Sequence, residues 1–225
     1  MAVVIFGAGG QARVLLELMD RAGICPIAGL VDDDPGLQGT RIDGVPVLGT
    51  MDRLASLIRV NRIHRAVIAV GNNTDRKRLA NFARSLGLRL PVLIHPAAVV
   101  SPTAHLGEGT VVLAAAVVGA HARVGELCII NTRASVDHEC QLGDCVHIGP
   151  GATLAGNVTI GDGAMIGAGS TIIPEICVGD QSIVGAGSTV IRDVPSNVTV
   201  VGVPARVLPG RTGAAGANAE STTSV

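Results

Sequence analysis

One histidine stands between two carboxylates, in the sequence Asp137-His138-Glu139. A neutral imidazole that a carboxylate orients can accept a proton near neutral pH, so His138 is a candidate general base. The triplet alone fits an exposed histidine among solvated charges equally well. The elements that position the triplet must therefore distinguish the two interpretations.

A second candidate site lies near the N-terminus, where an apolar run enters a glycine-rich turn. Residues 2–6 are apolar, Gly7-Ala8-Gly9-Gly10-Gln11 follows, and residues 12–19 have the pattern of an amphipathic helix. The amides at the start of such a helix can hold a phosphate, although the third glycine of the usual motif is an alanine here. The next predicted strand, residues 27–31, ends in Asp32-Asp33-Asp34, where an acid that binds a ribose or a base would lie.

A further strand end supports a ligand site in this region. Residues 66–70 form a predicted buried strand that ends in Gly71-Asn72-Asn73-Thr74-Asp75-Arg76, before a helix that runs to about Leu86. The carboxyl ends of parallel strands open on one edge of the sheet, so the two loops should line one site. The alternative is a pair of tight turns without a ligand. Residues 1–93 make up half of a full dinucleotide-binding fold, which favours a single nucleotide over NAD.

The histidine triplet belongs to a six-residue repeat. Seventeen positions, six apart from Ile94 to Val190, all carry Ile, Leu or Val, and a small residue stands two before most of them. This period is typical of a parallel β-helix, in which six residues form one side of a triangular prism and 18 form one coil. Both sets should point inward, and a glycine often follows the aliphatic residue where a Cβ would clash. The β-helix should span residues 94–209, with residues 195–206 as a cap on the last coil.

The 18-residue coil places other residues relative to His138. Gly156 is one coil further on, so its backbone amide should lie beside the imidazole and could donate to an oxyanion. His147 is half a coil away and faces another direction, so the two histidines can share a site only if a second prism packs alongside. This spacing predicts a trimer with sites between its subunits. His64, His105 and His121 are expected on the surface, and His95 at the domain junction has no clear assignment.

Composition excludes several classes of partner. The chain has 225 residues and a formal net charge of −1, which gives no bulk attraction for nucleic acid or anionic membranes. The apolar N-terminus lacks a preceding basic region, so we interpret it as a buried strand rather than a signal peptide and expect a cytoplasmic protein. Five cysteines without zinc-ligand spacing indicate core packing in a reducing compartment, with no metal. Residues 210–225 have little to bury and are predicted to be a disordered tail.

Seven short motifs resemble those of the PglD/NeuD-type sugar acyltransferases, in the same order over residues 2–208. They are Gly7-Ala8-Gly9-Gly10, Asp32-Asp33, Gly71-Asn72-Asn73, Asn131-Thr132, Asp137-His138-Glu139, Ala155-Gly156-Asn157-Val158 and Gly202-Val203-Pro204-Ala205-Arg206. The resemblance implies an α/β Rossmann-like domain that binds a nucleotide sugar, followed by a left-handed β-helix. It also implies a homotrimer and acetyl transfer from acetyl-CoA.

The resemblance also assigns roles to residues. His138 would be the general base with Glu139 or Asp137 as its partner, and the Gly156 amide would meet the acetyl carbonyl. The nucleotide-sugar site would comprise Gly7, Gly9, Gly10, Gln11, Asp32, Asp33, Gly71, Asn72, Asn73 and Arg76. The acetyl-CoA side would comprise Asn131, His147, Gly156, Gly202, Pro204, Ala205 and Arg206. Gln11 departs from the family, because relatives commonly carry histidine after the glycines.

The predicted reaction is direct acetylation of the amine of a UDP- or GDP-linked amino sugar. Acetylation of a sugar hydroxyl, as in the sialic-acid members, keeps the same fold and is the nearest alternative. A carbonic-anhydrase-like β-helix would need a third histidine at a suitable coil offset, and none is found. A non-catalytic nucleotide-binding scaffold is the remaining alternative.

Overall fold

The computed structural model describes residues 2–24 and 26–209. The predicted tail at 210–225 and Cys25 lie outside these residues. Two domains follow one another along the chain, an α/β domain and a long prism of short strands. No helix in the described ranges is long and apolar enough to cross a membrane.

The N-terminal domain is a five-stranded sheet with helices packed against it. Its strands are β1 (Ala2–Phe6), β2 (Ile27–Val31), β3 (Arg41–Ile42), β4 (Val45–Gly49) and β5 (Ile63–Ile68), in the spatial order β3-β4-β2-β1-β5. Its helices are α1 (Gly10–Arg21), α2 (Leu54–Asn61) and α3 (Asn73–Ser85), with 3₁₀ turns at Pro35–Leu37 and Met51–Arg53. All strands are parallel except β3, and β1 is buried on both faces, as its continuous apolar sequence predicts.

The prism is built from nineteen strands in stacked coils. They are β6 (Leu93–Ile94), β7 (Val99–Val100), β8 (His105–Leu106), β9 (Val111–Val112), β10 (Val117–Val118), β11 (Arg123–Val124), β12 (Ile129–Ile130), β13 (Ser135–Val136), β14 (Gln141–Leu142), β15 (His147–Ile148), β16 (Thr153–Leu154), β17 (Thr159–Ile160), β18 (Met165–Ile166), β19 (Thr171–Ile172), β20 (Cys177–Val178), β21 (Ile183–Val184), β22 (Thr189–Val190), β23 (Thr199–Val201) and β24 (Arg206–Val207). Every third strand pairs in parallel with a register of 18 residues, as in Val118 with Val136, so three sheets form the three sides. The predicted coil length is confirmed.

The domain boundary differs slightly from the prediction. The strand predicted at residues 91–94 as the last element of the first domain is β6, and it pairs with β9 of the prism rather than with β5. Leu93 therefore belongs to the first coil of the β-helix. The strand predicted at 66–70 also begins and ends earlier, at Ile63–Ile68, because residues 69–72 lead out of the sheet into α3.

The aliphatic ladder forms the core of the prism. From Val112 to Val190, every aliphatic position of the repeat is at most 5% exposed, and the small residues two before are buried with it. Each buried aliphatic side chain contributes ~1.5–3 kcal/mol, which explains how the domain holds together with no tryptophan or tyrosine. Ile94 is 39% exposed because the first coil has a neighbour on only one side.

The corners explain the glycines of the repeat. A Cβ on Gly107 would lie 2.5 Å from the carbonyl carbon of Gly125 in the next coil, so a glycine here lets the coils stack. The left-handed backbone conformation occurs two residues later in each turn, as at Glu139 with φ of 59°. The last coil shortens to 16 residues, since Val184 pairs with Val200, and the antiparallel pair β23–β24 ends the sheet as a cap.

Helix α3 joins the two domains. Arg84 near its end forms ion pairs with Glu108 at 2.8 Å and Glu126 at 2.6 Å, both at one corner of the prism. Leu127 and Cys145 from the same corner are buried in a hydrophobic cluster with strands and helices of the first domain. The N-terminal domain therefore sits on the prism through shared apolar core as well as charged contacts.

Candidate functional site

His138 lies at a prism corner directly after β13. Its Nδ1 is 3.1 Å from Oε2 of Glu139, and its side chain is 57% exposed. Because a carboxylate accepts the hydrogen bond, Nδ1 carries the proton and Nε2 presents its lone pair to the outside. Asp137 instead accepts the backbone N–H of His138 at 2.7 Å, so its carboxylate holds the turn rather than the ring.

Gly156 lies against the imidazole, as the 18-residue coil predicts. A Cβ built on Gly156 would be 2.5 Å from both Nε2 and Cε1 of His138. Within the described residues, the Gly156 N–H donates no hydrogen bond, whereas the neighbouring Asn157 N–H donates to the His138 carbonyl at 2.9 Å. A proton acceptor and an unused backbone donor thus meet at one corner of one chain.

Asn131 and His147 form a second polar pair on a different side of the prism. The amide Nδ2 of Asn131 is 3.2 Å from Nε2 of His147, and Oδ1 of Asn131 accepts the Thr132 N–H at 2.8 Å. Because Oδ1 is engaged, the amide NH₂ faces the ring and Nε2 of His147 must accept. The proton of the neutral imidazole is therefore on Nδ1.

Burial lowers the pKa of His147 to about 4, and the nearby Arg76 guanidinium lowers it further, while the Gly71 backbone acts in the opposite direction. His147 is consequently neutral at pH 7 and is not a base there. Its Nδ1 is buried and makes no hydrogen bond of ordinary geometry to any described residue, so the contact with Gly71 is a weak one. With Nε2 engaged by Asn131, the predicted direct contact of His147 with the acetyl group is not favoured by this geometry.

The glycine turn of the first domain contains glycines of two kinds. Gly7 has φ of +98°, and a Cβ there would lie 2.9 Å from the Ala69 carbonyl oxygen, so the fold itself requires glycine. Gly9, Gly10 and Gly71 have no heavy atom within 4 Å of a built Cβ. These three leave bare backbone at the carboxyl edge of the sheet, where a phosphate can approach the start of α1.

The two aspartates after β2 are partly used by the protein itself. Asp32 accepts the Ala8 N–H through Oδ2 at 2.7 Å and the Asp34 N–H through Oδ1 at 2.9 Å. Asp33 accepts the Met51 N–H through Oδ1 at 2.8 Å and is otherwise exposed. Asp32 thus fixes the glycine turn, and Asp33 has an oxygen free for a ligand.

Three residues predicted to bind substrate serve the fold instead. The Asn72 side chain caps α3 by accepting the Asp75 N–H, and only its NH₂ stays available. Asn73 donates to the Gly163 carbonyl of the prism at 2.8 Å and accepts from Arg76. Arg76 is 2% exposed with every guanidinium nitrogen hydrogen-bonded, so its assignment to direct substrate contact is wrong.

Gln11 keeps a buried polar group without a partner. Its Nε2 has no hydrogen-bond partner among the described residues, and His147 Nδ1 is the other buried side-chain atom in that position. Gln11 lies in the first turn of α1, whose N-cap Gly9 offers no side-chain cap. A ligand oxygen at this turn would satisfy the amide.

The C-terminal segment of the predicted acetyl-CoA side forms the end of the prism. Gly202 has φ of 100° and donates to Ser188 Oγ at 3.1 Å, and Ala205 donates to the Thr189 carbonyl at 2.8 Å. The Val203–Pro204 peptide bond is cis, and Arg206 is exposed. These contacts hold a protruding turn beside the last coil.

One chain therefore brings together two halves of a site without joining them. His138 and Gly156 share one corner, while Asn131 and His147 face the N-terminal domain near Gly71 on another side. Sequence reasoning predicted the separation of the histidines but missed the burial of His147 beside the first domain. The 18-residue spacing of Leu127 and Cys145 marks that corner, yet their contact with α3 runs through backbone carbonyls that side-chain patterns do not report.

The other histidines and the cysteines lie largely as predicted. His64, His105 and His121 are exposed, whereas His95 is partly buried. Cys128, Cys140 and Cys145 are free and buried, and burial raises the pKa of the Cys128 thiol to about 12. Across residues 2–24 and 26–209 of a single chain, no group of three or more His, Cys, Asp or Glu side chains is placed to hold a metal ion.

Comparison with known proteins identifies the family. A family model described as the PglD N-terminal domain matches residues 2–82, and one described as the bacterial transferase hexapeptide (six repeats) matches residues 157–192. The crystal structure of PerB from Caulobacter crescentus, in complex with CoA and GDP-perosamine, is 42% identical in sequence, with a TM-score of 0.87. The match covers 92% of this chain and 97% of that chain. The chain belongs to the PglD/NeuD-type sugar acyltransferases.

Other PglD/NeuD-type relatives support the assignment. The acetyltransferase domain of PglB from Neisseria gonorrhoeae, in complex with acetyl coenzyme A, is 40% identical over 92% of this chain and 98% of that chain, with a TM-score of 0.85. The UDP-N-acetylbacillosamine N-acetyltransferase of Bacillus subtilis is 42% identical over 117 residues, 50% of this chain, and the match spans about half of that protein (51%). With the hexapeptide match, these likenesses give the prism its hand, that of a left-handed β-helix.

Proposed function

We propose that this protein transfers the acetyl group of acetyl-CoA to the amine of a UDP- or GDP-linked amino sugar. The observation that carries the proposal is the corner where Nε2 of His138 adjoins Gly156 while Nδ1 is bonded to Glu139. A base and an unused amide donor side by side are the two groups that acyl transfer from a thioester requires. The relatives bound to CoA, to acetyl coenzyme A and to GDP-perosamine support the same pair of substrates.

The reaction follows from this geometry. Glu139 holds Nδ1–H, so Nε2 of His138 is free to take a proton from the amine as its nitrogen attacks the thioester carbonyl. The Gly156 N–H donates to the oxygen that becomes negative in the tetrahedral intermediate. Collapse of the intermediate breaks the carbon–sulfur bond, and the proton on His138 passes to the leaving thiolate of CoA. Asp137 acts indirectly, through the turn that carries His138.

The N-terminal domain would bind the nucleotide end of the substrate. The bare backbone at Gly9, Gly10 and Gly71 and the uncapped start of α1 suit a diphosphate, and the free oxygen of Asp33 suits a ribose or base. Asn72 and Gln11 offer amide donors at the same edge. On the acetyl-CoA side, the exposed turn with Gly202, Pro204, Ala205 and Arg206 is the proposed contact of the coenzyme with the end of the prism.

We infer that the complete site lies between subunits of a homotrimer. Within one chain, the corner of His138 and the side that carries Asn131 and His147 make no contact. A neighbouring prism that brings its His138 beside the Asn131 side of the first chain would complete the site. Asn131 then presents its amide to the acyl group, and His147 positions Asn131. The cytoplasm, where acetyl-CoA and nucleotide sugars are available, is the proposed location.

A substrate screen tests the proposal. Purified protein is incubated with acetyl-CoA and UDP- or GDP-linked amino sugars, with the matching hydroxy sugars as controls, and the released CoA thiol is measured. We expect thiol release with an amino sugar and a product that is heavier by one acetyl group. Turnover with hydroxy sugars alone would establish O-acetylation instead, and no turnover with any sugar would favour the non-catalytic nucleotide-binding scaffold.

A further inference from the structure

Arg76 is a buried cation at the junction of the two domains. It lies on the second turn of α3 and is 2% exposed, although it carries a full guanidinium charge. A charge in such a place is costly unless its hydrogen bonds are complete. The contacts that offset this cost therefore show what the residue holds in place.

The guanidinium group makes five hydrogen bonds that span both domains. Towards the prism, Nε donates to the Leu127 carbonyl at 2.7 Å and one terminal nitrogen to the Cys145 carbonyl at 3.0 Å. Towards the glycine edge, the other terminal nitrogen donates to the Gly71 carbonyl at 2.9 Å and to that of Val70 at 3.3 Å. The fifth bond, at 2.7 Å, goes to Oδ1 of Asn73. All five N–H groups of the side chain are used.

These contacts fix the edge of the sheet relative to the prism. Gly71, one of the three glycines with bare backbone, is held through its carbonyl by the same side chain that grips two successive coils at Leu127 and Cys145. Asn73 is held at Oδ1 by Arg76, and its NH₂ donates to Gly163, one coil beyond Cys145. His147 contacts the same Gly71 backbone from the prism side.

We propose that Arg76 is a positioning residue, which sets the Gly71 end of the nucleotide-binding edge against the Asn131–His147 side of the β-helix. It touches no substrate, and it acts through the Gly71 and Val70 carbonyls and through Asn73. The proposal rests on the proposed function, since the edge that Arg76 positions is the one assigned to the nucleotide. No sequence motif of the family contains this role, because four of the five acceptors are backbone carbonyls.

Arg84 provides a matched control on the same helix. It also joins α3 to the prism, through Glu108 and Glu126, but it lies at the other end of the helix from Gly71. Its loss removes an interdomain anchor without freeing the glycine edge. A purely structural role for Arg76 predicts that the two substitutions differ only in how much stability they cost, whereas a positioning role predicts a difference in nucleotide affinity.

The test compares Arg76→Met and Arg84→Met in the full chain. Dissociation constants for UDP and GDP are measured by titration calorimetry, and steady-state constants by thiol release. For Arg76→Met we expect nucleotide affinity to fall at least tenfold for the nucleotide that the wild type binds. We also expect the KM for the nucleotide sugar to rise at least tenfold, while the KM for acetyl-CoA changes less than twofold. Arg84→Met should leave all three constants within twofold of wild type.

Two results would overturn the proposal. The first is a folded Arg76→Met protein with wild-type nucleotide affinity, and the second is an equal loss of affinity in Arg84→Met. If Arg76→Met does not fold, Arg76→Lys decides in the same way, because an ammonium group keeps the charge but cannot reach five acceptors in fork geometry. If the wild type transfers no acetyl group, the proposed function fails, and the nucleotide titrations still decide the role of Arg76.

Discussion

Replacing His147 with glutamine should remove a pH-dependent part of the folding stability. The pKa of His147 is about 4 in the folded chain, because burial and the Arg76 guanidinium disfavour the charged form, against an ordinary value of 6.5. The folded state therefore holds the ring neutral, while the unfolded chain takes up a proton as the pH falls. Stability from this group is fully present above pH 6.5 and is lost as the pH falls towards 4.

The size of the effect follows from linkage. One pKa unit corresponds to about 1.4 kcal/mol, and between pH 7 and pH 5 the folded state gains almost no proton at this site. The expected loss over that interval is about 2 kcal/mol of unfolding free energy. Glutamine is a suitable replacement, since its carbonyl oxygen can accept the Asn131 amide as Nε2 does.

The assay is urea unfolding of wild type and His147→Gln at pH 7, 6 and 5, at one protein concentration because an oligomer's stability depends on it. The difference between the two proteins should shrink by about 2 kcal/mol on going from pH 7 to pH 5, since only the wild type carries the histidine. Carboxylates elsewhere titrate equally in both and cancel. Two stability curves that stay parallel over this range would refute the neutral, buried state of His147.

Three further predictions concern the corner, the trimer and the core. Gly156→Ala places a Cβ 2.5 Å from the His138 ring and should lower kcat by ~10²–10⁴ with little loss of fold, so wild-type kcat would contradict the corner geometry. Mixing His138→Ala with Asn131→Ala chains should restore about a quarter of the sites if each site spans two subunits, and none if it lies within one. Ile148→Ala should cost ~2–5 kcal/mol of unfolding free energy, whereas Ile94→Ala, at a position 39% exposed, should cost clearly less; equal costs would contradict the ladder's burial.

The repeat made the prism predictable because one side-chain type at one spacing fixes both the coil length and the inward face. The same arithmetic placed Gly156 beside His138, since parallel coils keep a register of 18 residues. The shortened last coil was not predictable in this way, because it ends the repeat that would have signalled it. The ladder simply stops at Val190 in the sequence.

The parts of the site that escaped prediction depend on backbone atoms. Arg76 and Asn73 stand in a loop-to-helix sequence that suggests ligand binding, and only the folded chain shows that carbonyls of the prism already occupy them. The choice between Glu139 and Asp137 as partner of His138 was likewise open. The left-handed conformation of Glu139 turns its carboxylate towards the ring, while Asp137 bonds to the backbone.

The central claim, that His138 is the base for acetyl transfer, is tested most directly by the kcat of His138→Ala on the nucleotide-linked amino sugar that the wild type acetylates. Acetyl transfer is followed by thiol release across pH 6–8, on protein shown to be folded and of wild-type assembly size. We predict a fall of ~10²–10⁴ in kcat at every pH in this range. A variant that keeps the wild-type kcat across the range would contradict the assignment.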